Sequence, residues 1–260
     1  MTSLRAVLVV IAILSITLLL LPAHIALILA KSPLQKQTAM LWHQLVARAL
    51  GLRVKIVGSP DLSGSTGTLF VSNHVSWIDI VVLGCVVPVS FIAKSEVRSW
   101  PLFGWLAQLQ RTLFVERSRR LKVRDQSNQI RERLLAGDYL VLFPEGTTSD
   151  GNFVYPFNSS LLGAITSGVE SDDLAVQPVS IAYNGLAGLP MGRAWRPIAA
   201  WPGTITMGEH LPRVLREGLF DVELHFGRAI SDAQMRHRKP LTAELHGQIR
   251  QMLATGLRGA

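Results

Sequence analysis

A histidine and an aspartate five residues apart, His74 and Asp79, are the residues in this chain best placed to do chemistry. A hydroxyl is a poor nucleophile near neutral pH. A positioned histidine takes its proton during attack, an effect typically worth about 10²–10⁴-fold. The other ring nitrogen then needs an acceptor that fixes the tautomer and stabilises the imidazolium, and a carboxylate does this well. On a continuous helix five residues turn through about 500°, so the pair would not share a face. They meet only if His74 lies at a strand end or turn and Asp79 lies in the helix that follows. The strand-like residues 68–71, before Asn73, supply that break. The same stretch also reads as a capping box, with Ser76 at the N-cap and Asp79 at N3. The two readings are compatible, because a cap that pins Asp79 also preorganises it.

The elements that must position the pair follow from periodicity and turn signals. Residues 35–50 read as a helix with Met40, Leu41, Leu45, Val46 and Ala49 on one face, ended by Gly51. Strands are expected over 53–57, 68–71, 89–93, 111–115, 139–143, 175–182 and 222–226. The apolar run 80–87 suits a buried helix or strand. Helices are expected over 118–135, capped by Gly137, over 161–167, and near the C-terminus on the stripe Leu241, Leu245, Ile249, Met252 and Leu253. Strands alternating with helices predict an α/β fold, a mostly parallel central sheet flanked by helices. An N-terminal membrane-embedded helical segment precedes it.

That segment is the run 6–30, almost wholly apolar and preceded by Arg5, with Lys31 and Lys36 after it. About 20 such residues span a bilayer core. The run exceeds a signal-peptide core, and no small-x-small site stands out before Lys31. Pro22 and His24 interrupt it, so a kinked span or a re-entrant hairpin is expected. The division read from sequence is an anchor at 1–34 and a catalytic domain at 35–260. The basic residues after the run favour a cytoplasmic domain. Of the 260 residues 48% are hydrophobic, and 26 Lys and Arg against 18 Asp and Glu give +8. Beside an apolar anchor, that charge favours anionic lipid over nucleic acid. Cys85 stands alone, which excludes an intrachain disulfide and fits a reducing compartment. No Gly-x-Ser-x-Gly elbow, phosphate-binding Gly-x4-Gly-Lys loop or zinc-ligand spacing occurs, so a common serine hydrolase, a nucleotide site and a metal site are not expected.

Asn73-His74-Val75-Ser76-Trp77-Ile78-Asp79 resembles the Asn-His-x-Ser-x-x-Asp motif of the glycerolipid acyltransferases, best known from the 1-acylglycerol-3-phosphate acyltransferases. Three further blocks follow in that family's order. Lys94-Ser95-Glu96, Pro101, Gly104 and Phe114-Val115-Glu116-Arg117 resemble its second motif, Phe143-Pro144-Glu145-Gly146-Thr147 its third, and Val176-Gln177-Pro178-Val179 its fourth. The resemblance spans residues 35–230. It implies that His74 is the general base and that Asp79 orients it. Arg117 and Glu145 would position the acceptor head, with Gly146 and Thr147 completing the binding loop. For Glu145, an anion itself, the expected partner is a hydroxyl or an arginine.

The resemblance further implies acyl transfer from acyl-CoA or acyl-acyl carrier protein to a lysolipid hydroxyl, without an acyl-enzyme, cofactor or metal. The first acceptor is 1-acylglycerol-3-phosphate, and lyso-ornithine lipid is the alternative. A non-catalytic membrane protein that binds anionic lipid is the reading outside catalysis. Localisation is expected at a bacterial inner membrane with the domain on the cytoplasmic side. Two departures bear on the acceptor. Thr148 stands where the third motif usually carries arginine, and Arg111 where the second often has glycine. Arg111 would be the replacement cation. Thr148-Ser149-Asp150-Gly151 with Pro156-Phe157 resembles the lyso-ornithine lipid branch, whose acceptor has an amino-acid head and no phosphate.

Overall fold

A computed structural model of the chain describes residues 2–62, 64, 66–116, 120–159, 162, 175–230 and 238–258. Eight strands form one sheet: β1 (Arg53–Val57), β2 (Thr68–Ser72), β3 (Val89–Lys94), β4 (Leu113–Val115), β5 (Tyr139–Leu142), β6 (Ala175–Leu186), β7 (Leu189–Pro190) and β8 (Phe220–Phe226). Their order is β1-β8-β6-β2-β5-β3-β4, with β7 paired to β6. Strands β6, β2, β5, β3 and β4 are mutually parallel. β8 runs against β6, and β1 follows β8. The sheet is therefore mostly parallel, as expected for alternating strands and helices.

Its two faces carry separate cores. Along β2, Phe70 points into one cluster while Leu69 and Val71 point into the other. All five residues of β2 are buried, the pattern of a parallel strand covered on both sides. The first core packs under α2 (Leu34–Leu50), α3 (Ile78–Val86) and α6 (Met207–Glu217). The second packs under α5 (Arg120–Leu135) and α7 (Arg238–Arg258), where Leu241, Leu245, Ile249 and Leu253 are buried as their spacing predicts. A short helix α4 (Phe103–Leu109) follows the turn after β3.

Several expectations change. On α2 the buried residues are His43, Val46, Ala47 and Leu50, whereas Leu41 is exposed. Another helix, α1 (Thr2–Leu29), lies along α2, so the burial of α2 is set by two neighbours and not by one apolar stripe. Strand β6 continues four residues past the expected end at 182, because its far half pairs with β8. The helix expected over 161–167 lies outside the described residues except for Leu162, which is buried. The start of the helix expected from 118 lies outside them too.

Helix α1 runs through Pro22 without a break. Residues 4–29 are long and apolar enough to cross a membrane. Yet the helix is docked on the domain along its length. Val9 is buried in the first core, with Ala6 and Ile13 packed against it, while Leu4, Leu8, Ile11, Leu18, Leu19 and Leu29 face outward. Near its start, the Arg5 guanidinium donates to the carbonyls of Leu50 (2.8 Å) and Leu215. Those carbonyls end α2 and lie in the last turn of α6, where helix dipoles favour a cation. Near its other end, His24 bonds Thr38 Oγ1 at 2.7 Å and the Leu109 carbonyl at 3.1 Å. Since Arg5 meets the end of α2, the two helices form an antiparallel hairpin.

Removing the Arg5 side chain frees two carbonyls at once. Arg5→Ala is expected to cost about 1–3 kcal/mol, a drop in Tm of roughly 3–10 °C for a chain this size. Thermal unfolding in detergent measures this, and flotation with liposomes is expected to be unchanged because the outward apolar face remains.

Candidate active site

At the carboxyl end of β2 the chain leaves the sheet and turns into α3. The buried Asn73 fixes where it leaves. Its side-chain amide donates to the Ile181 carbonyl (3.0 Å) and accepts from the Ile181 N–H (2.8 Å). The amide thus replaces the next backbone pair of the β2–β6 ladder, whose register ends at Ser72 and Val179.

From His74 to Ser76 every backbone polar group has a partner, as a buried segment requires. His74 N–H donates to Glu145 Oε1 at 2.6 Å, and its carbonyl accepts from Ser149 N–H at 2.9 Å. Val75 N–H and Ser76 N–H both donate to Asp79 Oδ2, at 2.7 and 3.0 Å. Val75 carbonyl accepts from Trp201 N–H at 2.8 Å, and Ser76 carbonyl from Asp79 N–H at 3.1 Å. The expected capping box is half formed. Asp79 reaches back to the Ser76 amide, but the helix begins at Ile78, and Ser76 Oγ is buried without a partner among the described residues.

The structure brings His74 and Asp79 together. His74 Nδ1 lies 2.8 Å from Asp79 Oδ2. The carboxylate already accepts two amides on that oxygen, so Nδ1 carries the hydrogen. Nε2 keeps its lone pair and has no partner among the described residues. The imidazole is 20% exposed and the carboxylate is fully buried. Phe143 stacks on the imidazole at 4.0 Å and 14°, which holds the ring plane. A base facing the surface, with its other nitrogen tied to a buried carboxylate, can take a proton from a hydroxyl.

Glu145 reaches the site from behind. Its second oxygen accepts from Tyr155 N–H at 2.6 Å. Two backbone amides thus stand where a hydroxyl or an arginine was expected. Burial pushes the carboxyl up to about 8; the amides of His74 and Tyr155 pull it down, and the charge of Asp79 adds to the rise. Gly146 turns the loop at φ +72°, which favours glycine, and Thr147 is exposed at its tip. Arg117 lies outside the described residues. Thr148 is buried, and its hydroxyl donates to the Trp201 carbonyl. Arg111 precedes β4, at the end of the sheet opposite His74, and pairs with Asp138 at 3.5 Å. It is no replacement cation for the acceptor.

Sequence reasoning missed three contributors. Tyr183, from β6, donates its hydroxyl to Asp79 Oδ1 at 2.7 Å. Burial holds that phenol well above its usual range, and the adjacent carboxylate adds to the shift. Trp201 and Ser149 clamp the backbone of the His74 segment. The signals available were slight: a polar aromatic in an apolar strand, and a tryptophan opening a Pro-Gly turn. Trp201 also meets Trp100 edge-on at 5.9 Å, and Trp77 Nε1 donates to His210 Nδ1 at 3.1 Å. These aromatics wall the region beside the histidine. Among the described residues no group of three His, Cys, Asp or Glu side chains gathers where a metal could sit.

The Acyltransferase family model matches residues 53–182. The chain is 45% identical to a lyso-ornithine lipid O-acyltransferase of Brucella abortus, over 99% of this chain and 97% of that protein. It is 47% identical to a lyso-ornithine lipid O-acyltransferase of Rhizobium meliloti, over 84% and 75%. The fold is similar to the crystal structure of the 1-acyl-sn-glycerophosphate acyltransferase of Thermotoga maritima, with a TM-score of 0.66, 21% identity, and 98% and 97% of the two chains covered.

The raised Glu145 carboxyl has a consequence for stability. Its folded value lies above the unfolded one, so its contribution is complete below about 4.5 and is lost as pH rises through about 8. Glu145→Gln cannot ionise and keeps one acceptor for the two amides. The variant is expected to unfold at lower temperature than the parent at pH 5, with the gap narrowing steadily towards pH 8. Thermal unfolding across that range measures it.

Proposed function

This chain belongs to the acyltransferase family, and within it we propose that it esterifies the free hydroxyl of a lysolipid, with His74 as general base. The observation that carries the reading is the contact of His74 Nδ1 with the buried Asp79 carboxylate, which leaves Nε2 on the open side. The acceptor hydroxyl oxygen attacks the thioester carbonyl carbon while its proton passes to Nε2. Collapse of the tetrahedral intermediate breaks the C–S bond, and the imidazolium returns the proton to the departing thiolate. The products are an ester and a free thiol, and His74 ends as it began. Phe143 and Asp79 keep the ring in one plane and one tautomer throughout. The Gly146 amide donates to the Phe143 carbonyl at 3.3 Å, so the exposed Thr147 is the residue of the loop suited to an anionic oxygen. The donor in this reading is acyl-CoA or acyl-acyl carrier protein.

Lyso-ornithine lipid is the acceptor we favour over 1-acylglycerol-3-phosphate. A relative matching over almost the whole length carries that name at 45% identity. The site has a feature in keeping with it. Threonine at 148 is small enough to be buried under Trp201, where an arginine would have to displace the Trp201 turn or reach past it. Lys94, the last residue of β3, and Glu96, just beyond it, are exposed; they lie at the carboxyl end of the parallel strands, as His74 does, and offer both signs of charge to an amino-acid head. The outward apolar face of α1 supports membrane association. A cytoplasmic orientation at the bacterial inner membrane is in keeping with Lys31 and Lys36 after the apolar run. A non-catalytic lipid-binding role would leave the His74–Asp79 geometry without a purpose.

Two measurements test the proposal. His74→Ala is expected to lower kcat by about 10²–10⁴-fold in a protein that stays folded, though with a lower Tm because Asp79 loses one donor; undiminished turnover would refute the base. Given an acyl thioester and equal amounts of both lysolipids, the protein is expected to acylate lyso-ornithine lipid preferentially, as read by mass spectrometry. Preference for 1-acylglycerol-3-phosphate would reverse the choice of acceptor.

A further inference from the structure

The Asp79 carboxylate divides its hydrogen bonds unequally. Oδ2 accepts from His74, Val75 and Ser76. Oδ1 accepts from Tyr183 Oη at 2.7 Å and from no other donor among the described residues. Beyond it lies the first apolar core, where water is not at hand to replace a lost donor. We propose that Tyr183 is a positioning residue for acyl transfer: its hydroxyl holds Oδ1 so that Oδ2 stays aimed at His74 Nδ1. The inference rests on the reading of His74 as the base.

Tyr183 is suited to this role by its own fixation. It sits on the part of β6 that extends past the end of β2, in register with Val222 of β8. Its ring packs edge-on against Phe220 at 6.2 Å and 88°, and its carbonyl accepts from Arg196 Nε at 3.1 Å. The side chain is 1% exposed, so it does not touch substrate and acts through Asp79. A second effect follows from charge. A donor on Oδ1 draws negative charge from the carboxylate and so weakens its support of a histidinium. Tyr183 therefore sets the basicity of His74 as well as its aim. The other titratable or charged groups facing this pair are Glu145, from the loop after β5, and Arg196, through the Tyr183 backbone.

The test replaces Tyr183 with Phe and, separately, with 3-fluorotyrosine, whose more acidic hydroxyl donates more strongly. Assays use the full chain in detergent with lysolipid and acyl thioester. Tyr183→Phe is expected to lower kcat by about tenfold, to leave KM within about twofold, and to move the acid limb of kcat/KM up by about 0.5–1 pH unit. The fluorotyrosine protein is expected to recover most of the rate, with the limb below the parent's. Repeating the profiles in the Glu145→Gln background assigns the limb to His74. An unmoved limb in Tyr183→Phe, whatever the loss of rate, overturns the proposal, because packing defects alone do not shift it. If the Phe variant does not fold, fluorotyrosine decides: a limb moved to lower pH supports the role and an unmoved one rejects it. Failure of the base reading shows separately, as full activity in His74→Ala.

Discussion

One buried carboxylate organises this site. Removing a carboxylate from water costs several kcal/mol even after the protein relaxes, and Asp79 is fully buried. The cost is tolerable only because four donors converge on it: two amides from the preceding turn, the imidazole and a phenol. Three of the four belong to residues 74–76. For those donors to reach one oxygen, the chain between β2 and α3 must adopt a single tight path. The position of Asp79 in the first turn of α3 adds the favourable field of a helix N-terminus. The charge therefore shapes the turn, and the turn presents the histidine.

The rest of the fold serves to make that path rigid from outside. Asn73 ties its beginning to β6, Glu145 and Ser149 hold His74 from the β5 side, and Trp201 holds Val75 from a turn that arrives late in the chain. These partners come from β6 itself and from the connections that follow β5 and β7. That explains why a mostly parallel sheet suits the chemistry: the carboxyl ends of β2 and β5 lie side by side, and their loops can brace one another. The Phe143 ring on the imidazole belongs to the same arrangement, since it is the first residue past β5.

The pair His74 and Asp79 was legible in the sequence because its geometry is local. Five residues with a strand before them and a helix after them leave few ways to meet. The strands and the apolar stripe of α7 were legible for a similar reason, as each buries a pattern of its own. What was illegible depends on distance along the chain. Tyr183 is separated from Asp79 by 104 residues, and no spacing rule connects them. The partners of Glu145 were illegible because the sequence shows its charge but not the two backbone amides that its oxygens accept from. Residues on α2 were turned the wrong way because α1 covers one side of that helix, a tertiary effect that periodicity does not record. Arg111 looked like a spare cation until the sheet order put it beside Asp138 at the far end.

In the proposed function, chemistry and acceptor choice fall to different parts of this molecule, and these parts are built differently. The supports of His74 are closed upon themselves and held by backbone, and the imidazole alone reaches the surface. A hydroxyl on any lysolipid could be activated there. The groups proposed to meet a head group, Lys94, Glu96 and Thr147, are exposed where the chain leaves the carboxyl ends of β3 and β5. Loops of this kind can change charge without disturbing the core beneath them. Thr148 stands on the boundary: its position follows the binding loop, yet its side chain is spent on holding Trp201. A cation at that position would have to leave the interior, whereas the short side chain stays under Trp201, which in turn holds the Val75 carbonyl. Under the proposed acceptor, preference would be coupled to the His74 turn through one buried hydroxyl, and not merely through the charges around it.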